Sequence, residues 1–157
     1  MNVSAPIVSP ENAHTACAEL AQPLVFTNGC FDILHCGHIN YLFAARELGN
    51  NLVVALNTDA SVHRLGKSKN RPLNNLEARA ELIAALRCVD LVTWFDQDTP
   101  EEIIKKINPQ ALVKGGDWPT NKIVGADYVL STGGTVHSIP FKHHTSTSGL
   151  IEKIKNS

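Results

Sequence analysis

The chain has 157 residues, 43% of them hydrophobic, with 14 basic against 15 acidic side chains and an isoelectric point near 6.6. That length suits one well-buried core rather than two, and the balanced charge excludes the basic footprint of a duplex nucleic-acid binder or of a protein that adheres to an anionic membrane. No apolar run approaches the roughly 20 residues of a membrane-spanning helix, and the first residues lack the basic start and apolar stretch of a signal peptide, so a cytoplasmic protein with a small soluble partner is expected.

In chain order, residues 1–22 are small and polar and read as a short helix near 11–20 or a loose arm, ahead of a domain over 23–157. Leu24 to Thr27 is a buried strand broken by Asn28-Gly29, and a helix follows from about His38 to Leu48, where Gly49 can end it. Asn51 to Leu56 is a continuous apolar run of the kind buried on both faces of a sheet, ending at Asn57-Thr58-Asp59. Residues 66–75 are polar, basic and broken by Pro72, which predicts a loop. Asn74 or Asn75 can then cap a helix to about Arg87, with Leu76, Ala80, Ile83 and Ala84 on its apolar face. Leu91 to Phe95 is a third strand. Thr99-Pro100-Glu101-Glu102 predicts a helix capped by Thr99, with Pro100 first and Glu102 closing the capping box, and Ile103, Ile104 and Ile107 buried. Ala111 to Val113 is a fourth strand that breaks at Gly115-Gly116, and a weaker helix covers 121–132. Thr135 to Pro140 is a fifth strand, and Ser146 or Thr147 caps a last helix through Ile151 and Ile154.

Strands alternating with helices predict a single Rossmann-like, doubly wound α/β domain, a five-stranded parallel sheet with helices on both faces. Ligands of such sheets bind beyond the carboxyl ends of the strands. Four polar segments follow strand ends and should therefore meet on one rim: Asn28 to His38, Asn57 to Asp59, Lys114 to Trp118, and Lys142 to Ser148. The first sets His35 and His38 at a helix entrance, where backbone N–H groups and the positive dipole end suit a polyphosphate. Zinc ligation by His35, Cys36 and His38 is disfavoured, because near-adjacent side chains rarely converge on one tetrahedron and no second Cys/His cluster with finger-like spacing exists. No protein-held metal is expected. Cys17, Cys30, Cys36 and Cys88 form no C-x-x-C pair and read as reduced thiols.

Gly29 to His38, Gly-Cys-Phe-Asp-Ile-Leu-His-Cys-Gly-His, with Ser146-Thr147-Ser148-Gly149 near the end, resembles the nucleotidyltransferase superfamily marked by an H-x-G-H motif and a late S-T-T motif. Asn57 to Val62, Arg71-Pro72, Asp98-Thr99-Pro100 and Leu112 to Asp117 are similar to the adenylyltransferases that make ADP-heptose from ATP and heptose 1-phosphate, a step toward the lipopolysaccharide inner core. The resemblance covers about residues 24–155. Three departures are Cys36 in place of a small residue, Ser148 in place of the second Thr, and a stretch from Phe141 to Thr145 without the Arg that glycerol-phosphate cytidylyltransferases carry there. A cytidylyltransferase acting on glycerol 3-phosphate, or a nucleotide-binding regulator using the same fold, is the alternative.

The resemblance implies ATP and a sugar 1-phosphate as substrates, with Mg2+ bridging phosphate oxygens through water and few protein ligands. It implies that His35 and His38 bind the α- and β-phosphates, that Lys67, in competition with Lys69 and Arg64, closes over them, and that Thr147 with Ser146 and Ser148 holds the far end. Asn28, Gly29, Cys30, Phe31, Gly37 and Lys114 are placed along the nucleotide, with Gly115, Gly116 and Asp117 at ribose and base. Asp32, Asn57, Asp59 and Arg79 are placed toward the acceptor. Asn57 and Asp59 also fit a turn and cap, Arg79 an ion pair with Glu77 or Glu81, and His143-His144 an exposed loop. Related enzymes are often fused to a sugar kinase; this chain resembles the stand-alone form, supplied by a separate kinase and phosphatase and assembled as a homo-oligomer.

Overall fold

The computed structural model describes residues 4–66, 70–142 and 146–157. Five strands, β1 (Leu24–Gly29), β2 (Asn51–Asn57), β3 (Leu91–Phe95), β4 (Ala111–Gly115) and β5 (Thr135–Ile139), form one sheet in the order β3-β2-β1-β4-β5. All pairs are parallel, with Val25 opposite both Leu52 and Ala111. The chain thus winds outward from β1 in one direction and then, from β4, in the other. That reversal leaves a crevice above the carboxyl ends of β1 and β4.

Neighbouring residues of each strand enter opposite cores, which is why the strands read as unbroken apolar runs. Val25, Leu52, Val54, Leu56 and Val113 pack with Tyr41, Leu42 and Ala45 of α2 (Cys36–Arg46) and Ile83 of α4 (Leu76–Ala84). Leu24, Phe26, Val53, Ala55 and Leu112 pack on the other face, against α1 (Ala13–Ala18), α5 (Glu101–Ile107) and α6 (Ala126–Ser131). The N-terminal stretch is seated on the domain: Val8 N–H donates to Val92 O at 2.9 Å, and Ala13 and Cys17 are buried. No helix among the described residues is long and apolar enough to cross a membrane.

Several boundaries differ from the sequence expectation. β1 continues through Asn28-Gly29, because those residues pair with Ala55 and Leu56 of the longer β2. α2 starts earlier, at Cys36, with His35 as its extended N-cap residue. A further helix, α3 (Asp59–Arg64), follows β2; Thr58 caps it by accepting from Ser61 N–H at 3.1 Å. For α4, Asn75 is the cap, accepting from Ala78 N–H at 2.9 Å, and the helix closes at Ala84 rather than Arg87. For α5 the cap falls at Pro100 without a side-chain bond, since Glu102 is drawn to Gln97 Nε2 at 2.9 Å instead of back to Thr99. Residues 121–132 divide into a short 3-10 turn at Thr120–Lys122 and α6, with Gly125 between them at φ 87°. The last helix, α7 (Thr147–Lys155), is capped by Ser146, whose Oγ accepts from Gly149 N–H at 3.1 Å.

Candidate functional site

The turn out of β1 is built by packing and by one buried carboxylate. Phe31 takes a left-handed backbone (φ 48°), which drives its ring inward, parallel to Tyr41 at 6.4 Å and beside His38 at 5.2 Å. Tyr41 in turn bonds Thr27 Oγ1, which donates to Val113 O at 2.9 Å, so the floor of the crevice is tied from β1 to β4. Asp32 is fully buried. Its Oδ1 accepts from the N–H groups of Leu73 (2.8 Å) and Asn74 (2.9 Å), and its Oδ2 from Arg71 Nε (3.0 Å). Burial alone would raise this carboxyl, but the bonds from Asn74, Leu73 and Arg71 outweigh it and hold the group below its ordinary value.

His35 and His38 stand one helical turn apart at the start of α2, their rings stacked at 3.8 Å. Gly37 makes this possible: a Cβ there would lie 2.9 Å from the His35 ring. Nδ1 of each ring is buried with no hydrogen-bond partner among the described residues, while both side chains line the cleft described below. Burial, then the neighbouring His35, pushes His38 down to about 4; burial lowers His35 as well. Both rings are therefore neutral at physiological pH, and each offers one N–H.

A cleft of about 350 Å³ opens above these residues, lined by Asn28 to Asp32, His35, His38, Tyr41, Arg71, Lys114, Gly115, Phe141 and Ser146 to Ser148. His38 and Thr147, 109 positions apart by numbering (147 − 38), thus face one space. Thr147 Oγ1 donates to Ile33 O at 3.2 Å, which seats the N-terminus of α7 beside the first turn of α2. Phe141 closes one wall, edge-on to Tyr41 at 5.9 Å and to His38 at 6.4 Å. It also occupies the space over Gly115, where a Cβ would lie 2.9 Å from its ring.

A second cleft of about 320 Å³ shares Asn28, Gly29, Cys30 and Lys114 with the first. It continues over Asn57, Asp98, Thr99, Trp118 and Lys122. The two clefts flank the ends of β1 and β4, so most of the expected segments do meet on one rim.

Other expected residues lie elsewhere. Gly116 and Asp117 line neither cleft; Gly116 is held against β5 by its N–H to Ile139 O at 2.8 Å, and Asp117 is exposed. Arg79 is completely buried and spends its guanidinium on Asp59 Oδ1 (2.6 Å), Cys30 O (2.7 Å) and Asn74 O (3.0 Å). It does not pair with Glu77 or Glu81, because residues two apart on a helix do not face each other. Arg64 pairs with Asp98 at 2.6 Å on the rim. Lys67, Lys69, His143 and His144 lie outside the described residues. Among the described residues no group of three His, Cys, Asp or Glu side chains is placed to hold a metal ion.

Three residues of the first cleft escaped the sequence reading, as did Asp98, Thr99, Trp118 and Lys122 in the second. Tyr41 follows His38 by three positions and so shares its helical face, a signal that was present; Phe141 and Arg71 reach the cleft only through tertiary packing.

The cytidylyltransferase-like family matches residues 26–143. A protein of Bordetella bronchiseptica named D-beta-D-heptose 1-phosphate adenylyltransferase is 52% identical over 91% of this chain and 88% of its own length. The bifunctional protein HldE of Marinomonas is 54% identical over 84% of this chain, which spans 28% of that longer protein. A crystal structure of the lipopolysaccharide core biosynthesis protein from Thermoplasma volcanium superposes with a TM-score of 0.63, at 27% identity, over 80% of this chain and all of the other. The chain belongs to the cytidylyltransferase-like family.

Proposed function

We propose that this protein transfers AMP from ATP to D-glycero-D-manno-heptose 1-phosphate, giving ADP-heptose and pyrophosphate. The observation that carries the reading is the convergence of His35, His38 and the start of α7 on one cleft whose wall is shared with a second, in a chain 52% identical to the Bordetella adenylyltransferase. Displacement at the α-phosphorus needs the nucleophile and the leaving group on opposite sides. The triphosphate occupies the first cleft and the sugar phosphate the second, with the α-phosphorus at the shared wall of Asn28 to Cys30 and Lys114.

The acceptor phosphate is ionised at neutral pH, so no general base is required, and the work is alignment and charge neutralisation. The Nε2–H groups of His35 and His38 bind the α- and β-phosphates; Ser146, Thr147 and Ser148 at the start of α7 bind the far end. Lys114 bridges the two clefts. Lys67 closes over the phosphates from the segment after α3. Gly115, next to Phe141, takes the ribose, and the base extends past the edge of the first cleft toward Gly116 and Asp117. Asn57 contacts the acceptor, while Asp32, Asp59 and Arg79 act at one remove, by fixing the loop from Cys30 to Ile33 and its partner around Asn74. Asp32 is the one carboxylate among the residues lining the first cleft and both its oxygens are engaged, so Mg2+ would be held by phosphate oxygens and water. When bound it neutralises charge on the departing pyrophosphate. The enzyme works in the cytoplasm as a homo-oligomer, on a sugar phosphate prepared by a separate kinase and phosphatase.

The test is pyrophosphate release by purified protein given ATP or CTP with a panel of phosphate acceptors. Release with ATP and the heptose phosphate is expected. Preference for CTP with glycerol 3-phosphate, or no release with any acceptor, would overturn the reading.

A further inference from the structure

We propose that Arg71 is a triphosphate-binding residue of the first cleft and that Asp32 is the positioning residue that aims it; this rests on the nucleotide site proposed above. Arg71 follows the segment 67–69 and precedes α4, far in sequence from the residues it faces. Its side chain is 9% exposed, yet it lines the cleft together with His35, His38 and Thr147 and does not reach the second one. Asp32 engages only Nε. The Nη atoms make no hydrogen bond to an acceptor among the described residues, and a guanidinium keeps four N–H groups there in a planar fork that matches phosphate oxygens.

The energetics point the same way. A buried ion pair adds little to stability over apolar residues of similar size, because desolvating two charges offsets their attraction. Here the carboxylate is the better satisfied partner: it takes Leu73 N–H, Asn74 N–H and Arg71, and its backbone oxygen accepts from Asn74 Nδ2 at 2.6 Å. The cation is the partner left short of acceptors, and it is left short on the side of the cleft. Asp32 fixes the Nε edge and so turns the Nη edge toward the site where the His pair and the start of α7 converge.

The test compares Arg71→Met, Arg71→Lys and Asp32→Asn by calorimetry with ATP and with AMP, alongside KM values for ATP and the sugar phosphate. Arg71→Met should weaken ATP about ten- to a hundredfold, as expected for loss of a hydrogen bond to a charged group. AMP and the KM of the sugar phosphate should change less than about threefold, within half a kcal/mol or so. Arg71→Lys keeps the charge and the pair with Asp32 but not the fork, and should fall between. Asp32→Asn should weaken ATP in the wild type and have a smaller effect beside Arg71→Met than alone, the non-additivity of a residue acting in part through its partner. Wild-type affinity for ATP in a folded Arg71→Met, or in folded Arg71→Lys where the Met variant does not fold, would overturn the proposal. So would an equal loss of AMP and ATP binding. Failure of the wild type itself to bind ATP would instead remove the nucleotide reading on which it rests.

Discussion

On the proposed function, replacing His38 by Ala removes a neutral donor from the place where charge grows as pyrophosphate leaves. The ring is held by Phe31 at 5.2 Å, His35 at 3.8 Å and Phe141 at 6.4 Å, so its place in the cleft is set by packing before any ligand binds. Loss of one such preorganised donor costs about 2.7–4 kcal/mol, or 10²- to 10³-fold in kcat. The KM for ATP should change less, since the other donors of the cleft remain. A coupled pyrophosphate assay at saturating ATP and sugar phosphate reads kcat directly, and circular dichroism checks the fold. His38→Gln retains an N–H of similar reach and should recover part of the loss. A folded His38→Ala enzyme with kcat within about threefold of wild type, less than 1 kcal/mol, would refute the reasoning.

The depressed titration of His38 makes a stability prediction. Its folded value of about 4 lies below the ordinary 6.5, so the unfolded chain binds the extra proton first, and stability present above pH 6.5 is lost as pH falls toward 4. The loss is at most about 3 kcal/mol, less for a ring partly in solvent; chemical denaturation between pH 7 and 4.5 should show a shallower slope in His38→Gln. Gly37→Ala should displace the His35 ring, costing about 1–3 kcal/mol of stability and lowering kcat, read by melting and turnover together. Ser146→Ala removes the cap of α7 and should cost about 1 kcal/mol while raising the KM for ATP. Lys122→Met, in the second cleft alone, should raise the KM of the sugar phosphate and leave that of ATP unchanged; the reverse pattern would exchange the two clefts.

The sheet was legible because its strands are buried on both faces: Leu52 to Leu56 and Leu24 to Phe26 have no polar break, and Rossmann-like winding follows from their alternation with helices. The errors fall where local signals compete. α3 has only Ser61 and Val62 buried, too little apolar periodicity to mark a helix, although Thr58-x-x-Ser61 is a usable cap signal. Pro100 took the cap from Thr99 because a third residue, Gln97, claimed Glu102. In the site, the His pair and Ser146-Thr147-Ser148 were legible, since short spacings encode them. Buried partnerships were not: nothing local shows that Asp32 engages Arg71 39 positions away, or that Arg79 reaches back to Cys30. Such pairings emerge only once β1 and β2 lie side by side and the segments beyond their ends are forced together.

On the proposed function, one triphosphate is gripped from two sides, by the first turn of α2 and by the start of α7. A crystal structure with a non-hydrolysable ATP analogue tests it most directly. Phosphate oxygens about 3 Å from Nε2 of His35 or His38 and from the hydroxyl or N–H groups of Thr147 and Ser148 are expected. Phosphates directed to solvent, or a nucleotide seated in the second cleft with the His pair untouched, would contradict the account.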